Sequence, residues 1–265
     1  MEYDDLLLEK DGSIAILTLN VPEKLNALTE KMKKSLSLAA GEIANDDEVR
    51  VVIVTGAGRG FCSGGDVQWQ TARMTGQLTE LSRYERLQVR GNLALLLPML
   101  DKPVIAAING ACVGSGFSLA LACDIRIASE AAKFGAVFVL RGLVPDTAMT
   151  YALPHTIGMS RALELLFSGE IISAAEAERL GVVSRVVPPD RLMPVARELA
   201  TKIAEQPPVA IELTKRLVYR FKVDELSHQL DLEAWAQHIC SQTEDHREAV
   251  SAFREKRPRP QFKGK

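Results

Sequence analysis

Two glycine-rich segments hold the residues best suited to chemistry. The first is GAGRGFCSGGD, residues 56–66, and the second is NGACVGSGFSLALACD, residues 109–124. Each follows an apolar run, RVVIVT (50–55) or PVIAAI (103–108), that reads as a buried strand. The first segment misses the GxGxxG dinucleotide fingerprint because position 61 is Phe, and it lacks the GK[ST] of a phosphate-binding loop. The second runs into a helix of small residues, with Gly114, Ser115 and Gly116 at its start. Free backbone N–H groups and the helix dipole favour an anion there. Small residues at that point would equally serve close packing of helix on sheet. Two such loops, each after a strand, suggest two N–H donors converging on one oxygen, an oxyanion hole.

Other reactive side chains read as structural. Asp66 closes the first loop and is expected to fix its shape by bonding nearby N–H groups. Asp124 precedes a strand, and His155 reads as a hydrogen-bonded surface or interface histidine. Cys62, Cys112, Cys123 and Cys240 lack CxxC spacing and read as reduced thiols in small core positions, with Cys62 open to thiol reagents. The four histidines form no HExxH, so no metal centre is expected, although scattered carboxylates could hold a hard cation.

The elements that must position these loops alternate. IAILTLN (14–20) alternates apolar and polar residues and reads as a half-buried strand. Thr29 suits the cap of a helix whose face is Met32, Leu36, Ala39, Ala40 and Ile43. A polar stretch near 68–91 reads as helix, and DIRIA (124–128) as a strand. Strands interleaved with helices imply an α/β class with crossover connections. Further on, Ser173 and Glu176 form a capping box, Gly181 ends that helix, and VVSRVV (182–187) is a last strand before Pro188 and Pro189.

Only helix follows. Leu192, Val195, Leu199 and Ile203 share one face, and Pro207 and Pro208 break the chain. Val209, Leu213, Leu217 and Phe221 make the next face, Leu226, Leu230 and Ala234 begin another, and Ser241 with Glu244 caps a last helix. The expected division is an α/β core over 1–207 and a helical region over 208–265 whose apolar faces need cover, as in an oligomer.

Composition bounds the function. At 265 residues the chain is one large domain, or one domain with an appendage. Its 47% hydrophobic and 25% charged residues exclude a disordered or collagen-like chain. A net charge of −2 offers no field for nucleic acid or anionic lipid, and the basic tail RPRPQFKGK is the only contrary feature. The longest apolar stretch, 93–100, is far short of the ~20 residues of a membrane helix. MEYDDLLLEKDG lacks the order of a signal peptide, so a cytoplasmic location without membrane or nucleic-acid partner is expected.

Several blocks occur in a telling order: EKLNALT (23–29), GRGFCSGGDV (58–67), KPVIAAINGACVGSGFSLALACDIRIAS (102–129), Phe134 with Gly135, LRGLVPD (140–146), ISAAEAERLGVVSRVV (172–187) and SAFREKR (251–257). In them the chain resembles the crotonase superfamily, the enoyl-CoA hydratase/isomerase family. The resemblance implies a spiral of ββα turns with a C-terminal helical region that packs trimers, alone or paired into hexamers. It implies an acyl-CoA thioester ligand, and no cofactor beyond the coenzyme A that the substrate carries. By position it makes the backbone N–H groups of Gly65 and Ser115 the donors to the thioester carbonyl. It lays the backbone around Lys24, Leu25 and Ala27 along the coenzyme A. It brings Phe253 and Lys256 to the nucleotide, from this subunit or a neighbour.

Hydratases of that family use two glutamates, and the corresponding positions here hold Ser118 and Phe138. Ser118 has no useful acidity near neutral pH, and Phe138 has no proton to give and would make one wall apolar. Hydration needs groups to deprotonate water and to deliver a proton. Asp146 stands where some double-bond-shifting members carry their working carboxylate. A shift from 3-enoyl to 2-enoyl needs one base, so the expected activity is an enoyl-CoA isomerase with Asp146 as catalytic base. Asp146 could instead cap the helix that follows. Glu85 and Tyr84 are auxiliary candidates, and Trp69 and Met74 with Phe138 suggest an apolar acyl pocket. The alternatives are an enoyl-CoA hydratase using other acids, a thioester hydrolase using Ser115 (whose GxSxG spacing fails at Val113), and a non-catalytic CoA-binding subunit.

Overall fold

The computed structural model describes residues 3–66, 93–257 and 262–264, without the side chains of 220–224 and 227. β1 (Leu6–Asp11) and β2 (Ile14–Leu19) form an antiparallel hairpin. β2 then runs parallel to β3 (Val51–Gly56), followed in space by β5 (Val104–Ile108), β7 (Ile125–Ser129) and β10 (Arg185–Val187). Both faces of this six-stranded sheet are covered, which is why its strands read as nearly unbroken apolar runs. Val52, Val54, Val104 and Ala106 face the larger apolar cluster. Val51, Ile53, Ile105 and Ala107 face a second cluster, closed by helix α6 (Leu192–Ala204).

A second sheet, order β4-β6-β8-β9, is built from strands of three residues: β4 (Gly60–Cys62), β6 (Ala111–Val113), β8 (Lys133–Gly135) and β9 (Ile171–Ser173). Its strands are too short for any period to appear, and none was expected. Each of β3, β5 and β7 is followed at once by a short strand of this sheet, and β6 leads into helix α2 (Ser115–Leu121). That recurrence is the spiral of ββ and ββα turns, and each glycine-rich segment runs from the end of a strand of the larger sheet into a strand of the smaller one.

Local signals hold at the first helix, α1 (Glu30–Ala44), where the Thr29 side chain accepts from Met32 N–H at 3.0 Å. At α5 (Ala174–Leu180), Ser173 accepts from Glu176 N–H at 3.2 Å and Gly181 ends the helix at φ +85°. Glu176 itself pairs with Arg179, so only half of the capping box forms. Two other helices, α3 (Met149–Ile157) and α4 (Met159–Ser168), lie between β8 and β9 in sequence.

Several expectations are corrected. The last strand is only Arg185–Val187, because Val182 and Val183 turn into the core before it. In α6 the innermost residues are Leu192, Ala196, Ala200 and Ala204, with Val195, Leu199 and Ile203 flanking them. The small residues face the sheet because they let the helix approach closely. The two faces read after Pro208 belong to one helix, α7 (Pro208–Ser241). Leu226 and Leu230 pack on Ala94 and Ala148, whereas Val209, Leu213 and Leu217 are exposed. Thr243, not Ser241, caps the last helix α8 (Glu244–Arg254), accepting from His246 N–H at 3.1 Å. The helix expected near 68–91, with Trp69, Met74, Tyr84 and Glu85, lies outside the described residues. Among the described residues, no helix is long and apolar enough to cross a membrane.

Candidate active site

The first glycine loop is held by two asparagines that the sequence reading did not single out. Leu25 and Asn26 both adopt left-handed backbone, at φ +51° and +56°. Asn26 is fully buried; its amide accepts from Val21 N–H and donates to the carbonyls of Ala57 and Gly60. Asn109 donates to the carbonyls of Gly56, Gly58 and Gly60 and accepts from Gly56 N–H. Asparagine suits both tasks, because it tolerates left-handed backbone and its amide imitates a peptide group. The chain from Lys24 to Leu28 is then zipped onto the loop. Ser63 bonds the carbonyls of Lys24 and Leu25, and Leu28 N–H donates to Gly64 at 2.7 Å. Asp66, expected to bond N–H groups, pairs with the Lys24 ammonium at 3.1 Å.

The second loop meets the first at Gly64. A Cβ there would stand 3.1 Å from the Val113 carbonyl oxygen and 3.5 Å from Ser115 N, and Gly64 has φ +95°. Gly116 is equally constrained: a Cβ would lie 2.3 Å from the Cys62 carbonyl oxygen. Glycine at these points lets Gly65 and Ser115 sit on touching loops. Among the described residues, neither of their N–H groups has an acceptor. Cys62 is buried beneath this contact, and burial pushes its thiol up to about 12, so the expected access to thiol reagents is corrected.

Asp146 reaches the second loop across the fold. Its Oδ1 accepts from Ser115 Oγ at 2.8 Å and from Thr147 Oγ1 at 3.1 Å, and Gln237 Nε2 stands 3.5 Å from Oδ2. Ser118 Oγ donates to the Asp146 carbonyl at 2.9 Å, so the residue at the usual glutamate position steadies the aspartate's backbone. Phe138 is buried in the main apolar cluster. Asp146 is not a helix cap. The capping position of α3 is Ala148, and two left-handed residues, Thr147 (φ +55°) and Ala148 (φ +62°), separate Asp146 from the helix. A β-branched residue in that region is a true outlier, and such strain persists only where neighbours enforce it.

The enforcing neighbour is Glu233 on α7, another residue the sequence reading missed. Its Oε2 accepts from Ala148 N–H at 2.8 Å, and its Oε1 from Thr150 N–H at 3.0 Å and from the Thr150 hydroxyl. Gln229 supports Thr150 Oγ1 at 2.6 Å. Burial pushes the Glu233 carboxyl up to about 7, with the nearby Asp146 charge acting in the same direction. A signal existed: Leu226, Leu230, Glu233 and Gln237 are spaced four, three and four apart, so the polar pair continues a buried apolar stripe.

Phe253 lies near the end of α8 and Lys256 just after it. Phe253 is half exposed beneath the Arg141 guanidinium, 4.1 Å from its ring centre. Lys256 is exposed at a left-handed residue that follows α8. His155 stacks on Tyr151 and bonds its carbonyl. Asp124, at the far end of the second segment, is tied to Lys215, Tyr219 and Val104 N–H.

The family profile "Enoyl-CoA hydratase/isomerase" matches residues 9–265. A short-chain-enoyl-CoA hydratase of Clostridium acetobutylicum is 39% identical, and all of both chains is covered. A 1,2-epoxyphenylacetyl-CoA isomerase of Escherichia coli is 38% identical, also over the whole of both. Among solved structures, an enoyl-CoA hydratase from Mycobacterium avium subsp. paratuberculosis matches at TM-score 0.87 with 30% identity, covering 99% of this chain and 100% of that one. A monofunctional enoyl CoA isomerase from M. smegmatis matches at TM-score 0.70 with 40% identity, covering 82% and 92%. With two meeting glycine loops, a spiral of ββα turns and a match along nearly its whole length, the chain belongs to the enoyl-CoA hydratase/isomerase family of the crotonase superfamily.

Proposed function

We propose that the protein moves the double bond of a 3-enoyl-CoA to the 2-position. The observation that carries this reading is the 2.8 Å hydrogen bond from Ser115 Oγ to Asp146. It ties the Asp146 carboxylate to the second-loop residue whose N–H is one of the two expected donors, whereas the other carboxylate at the loops, Asp66, is paired with the Lys24 ammonium. Gly65 and Ser115 N–H would receive the thioester oxygen, with Lys24, Leu25 and Ala27 along the coenzyme A. As the α-proton leaves C2, charge moves onto that oxygen. Each donor of such a hole is worth ~3–4 kcal/mol of transition-state stabilisation. Asp146 takes the proton through Oδ2, because Oδ1 already accepts from two hydroxyls. The same oxygen returns it to C4, leaving the double bond between C2 and C3. The step is redox-neutral and returns the proton it removes, so it calls for no resident cofactor.

Relatives named as hydratases keep water addition as the rival outcome. Against it, Ser118 is committed to the Asp146 carbonyl and Phe138 carries no acid. The test compares wild type with Asp146→Asn on matched 3-enoyl- and 2-enoyl-CoAs. Conjugated-thioester absorbance reports the shift, and mass spectrometry reports added water. The expected result is conjugation of 3-enoyl substrates, slowed ~10²–10⁴-fold in the variant. Water addition, or a variant as fast as wild type, overturns the reading. Labelling of Ser115 by a fluorophosphonate would instead favour thioester hydrolysis. Acyl-CoA binding without turnover would mark a non-catalytic subunit.

A further inference from the structure

Among the described residues, the buried ionisable side chains other than cysteine are Lys102, Lys215, Glu233 and His246. Lys102 bonds the carbonyls of Ile43 and Asp46, and Lys215 bonds those of Leu97 and Lys102 together with Asp124. His246 meets the Arg141 carbonyl. All three tie framework elements together. Glu233 differs, since its partners are the N–H groups of Ala148 and Thr150 and the Thr150 hydroxyl. These lie in and just after the left-handed pair Thr147–Ala148, which follows Asp146 where it meets Ser115.

We propose that Glu233 is a positioning residue for Asp146, clamping the strained turn from the long helix α7 so that the carboxylate stays against Ser115. This rests on the reading of Asp146 as the proton-transferring base. A carboxylate suits the clamp because its two oxygens accept from two backbone N–H groups at once, and bonds to a charged acceptor are the stronger kind. An amide offers one acceptor and sets its own N–H₂ against the other donor. Gln237, one turn further along the same face, adds a longer contact to Oδ2. α7 thereby reaches the turn through Glu233 and the base itself through Gln237. In the same helix, Lys215 anchors the first turns to the core. A small error in the placement of a base is costly, since proton transfer needs the reacting atoms within hydrogen-bond reach.

The experiment measures kcat and KM on a 3-enoyl-CoA for wild type, E233Q, D146N and the double variant D146N/E233Q, each corrected for folded fraction by near-ultraviolet circular dichroism. Crystal structures of wild type and E233Q accompany it. The expected result is a kcat at least tenfold lower in E233Q with KM within threefold. The double variant should be no more than twofold slower than D146N alone, because a positioning residue has nothing left to position. A kcat per folded molecule unchanged in E233Q, or a full additional loss in the double variant, overturns the proposal. If E233Q does not fold, E233D, which keeps the charge at shorter reach, replaces it with the same criteria. If wild type does not isomerise any 3-enoyl-CoA, the functional reading fails separately. The clamp is then judged from the crystal structures: a displaced Asp146 in E233Q supports it, and an unmoved Thr147–Ala148 turn overturns it.

Discussion

Two left-handed turns frame the site, and they are held by opposite chemistry. Leu25–Asn26 is held by neutral amides, because Asn26 and Asn109 supply donors and acceptors without burying a charge. Thr147–Ala148 is held by a buried carboxylate from a helix 85 residues further along the chain. The neutral clamp is indifferent to pH, whereas the charged one is costly to bury and can titrate. The lesson is a division of labour. Oxyanion donors must stay fixed, and amides fix them. The base must be aimed, and an anion that grips two N–H groups aims it strongly.

The contrast can be broken at either end. The largest effect is expected at the neutral clamp. Asn26→Ala leaves the Val21 N–H and the Ala57 carbonyl without their partner and removes one of the two amide donors to the Gly60 carbonyl, and should lower stability by about 3–5 kcal/mol in urea unfolding. That loss should be the same at pH 5 and pH 8.

The charged clamp should behave differently. The Glu233 carboxyl sits at about 7 in the folded chain, above its ordinary value, with burial as the main cause. The folded state therefore holds this proton more tightly than the unfolded state. The stability linked to it is fully present below ~4.3, and is lost as pH rises through about 7. Comparing wild type with Glu233→Gln, which cannot titrate, the difference in unfolding free energy should move against wild type between pH 5 and 8, by up to about 3 kcal/mol. A flat difference would mean that the two clamps are alike after all.

The smallest effect sharpens the link between the two halves. Ser115→Ala keeps the N–H and removes the hydroxyl that donates to Asp146. It should slow isomerisation about tenfold, or ~1.4 kcal/mol, with little change in KM. A change of 10³ or more would give the hydroxyl a direct part in the chemistry.

Legibility varied with distance along the chain. The parallel strands, the Thr29 cap and the Gly181 stop were readable because each rests on contacts within a few residues or on two-sided burial. Asp146 was readable as a candidate only through resemblance. Its rival role as a cap failed because the left-handed residues after it delay the helix. Glu233 and Gln237 looked like ordinary members of a helix, since their meaning depends on what α7 packs against. Asn26 and Asn109 were passed over for the same reason: an amide's partners 30 to 50 residues away leave no local mark.

By itself, then, the chain determined an α/β architecture, two glycine loops after buried strands, a helical final region and a family. These follow from periodicity, glycine placement and ordered motifs, which are properties of neighbouring residues. Tertiary structure alone decided that the two loops touch at Gly64, that Ser115 meets Asp146, and that a carboxylate from α7 grips the turn after Asp146. Those are contacts between side chains far apart in sequence, and only packing of the sheets and helices into one body brings them within hydrogen-bond reach.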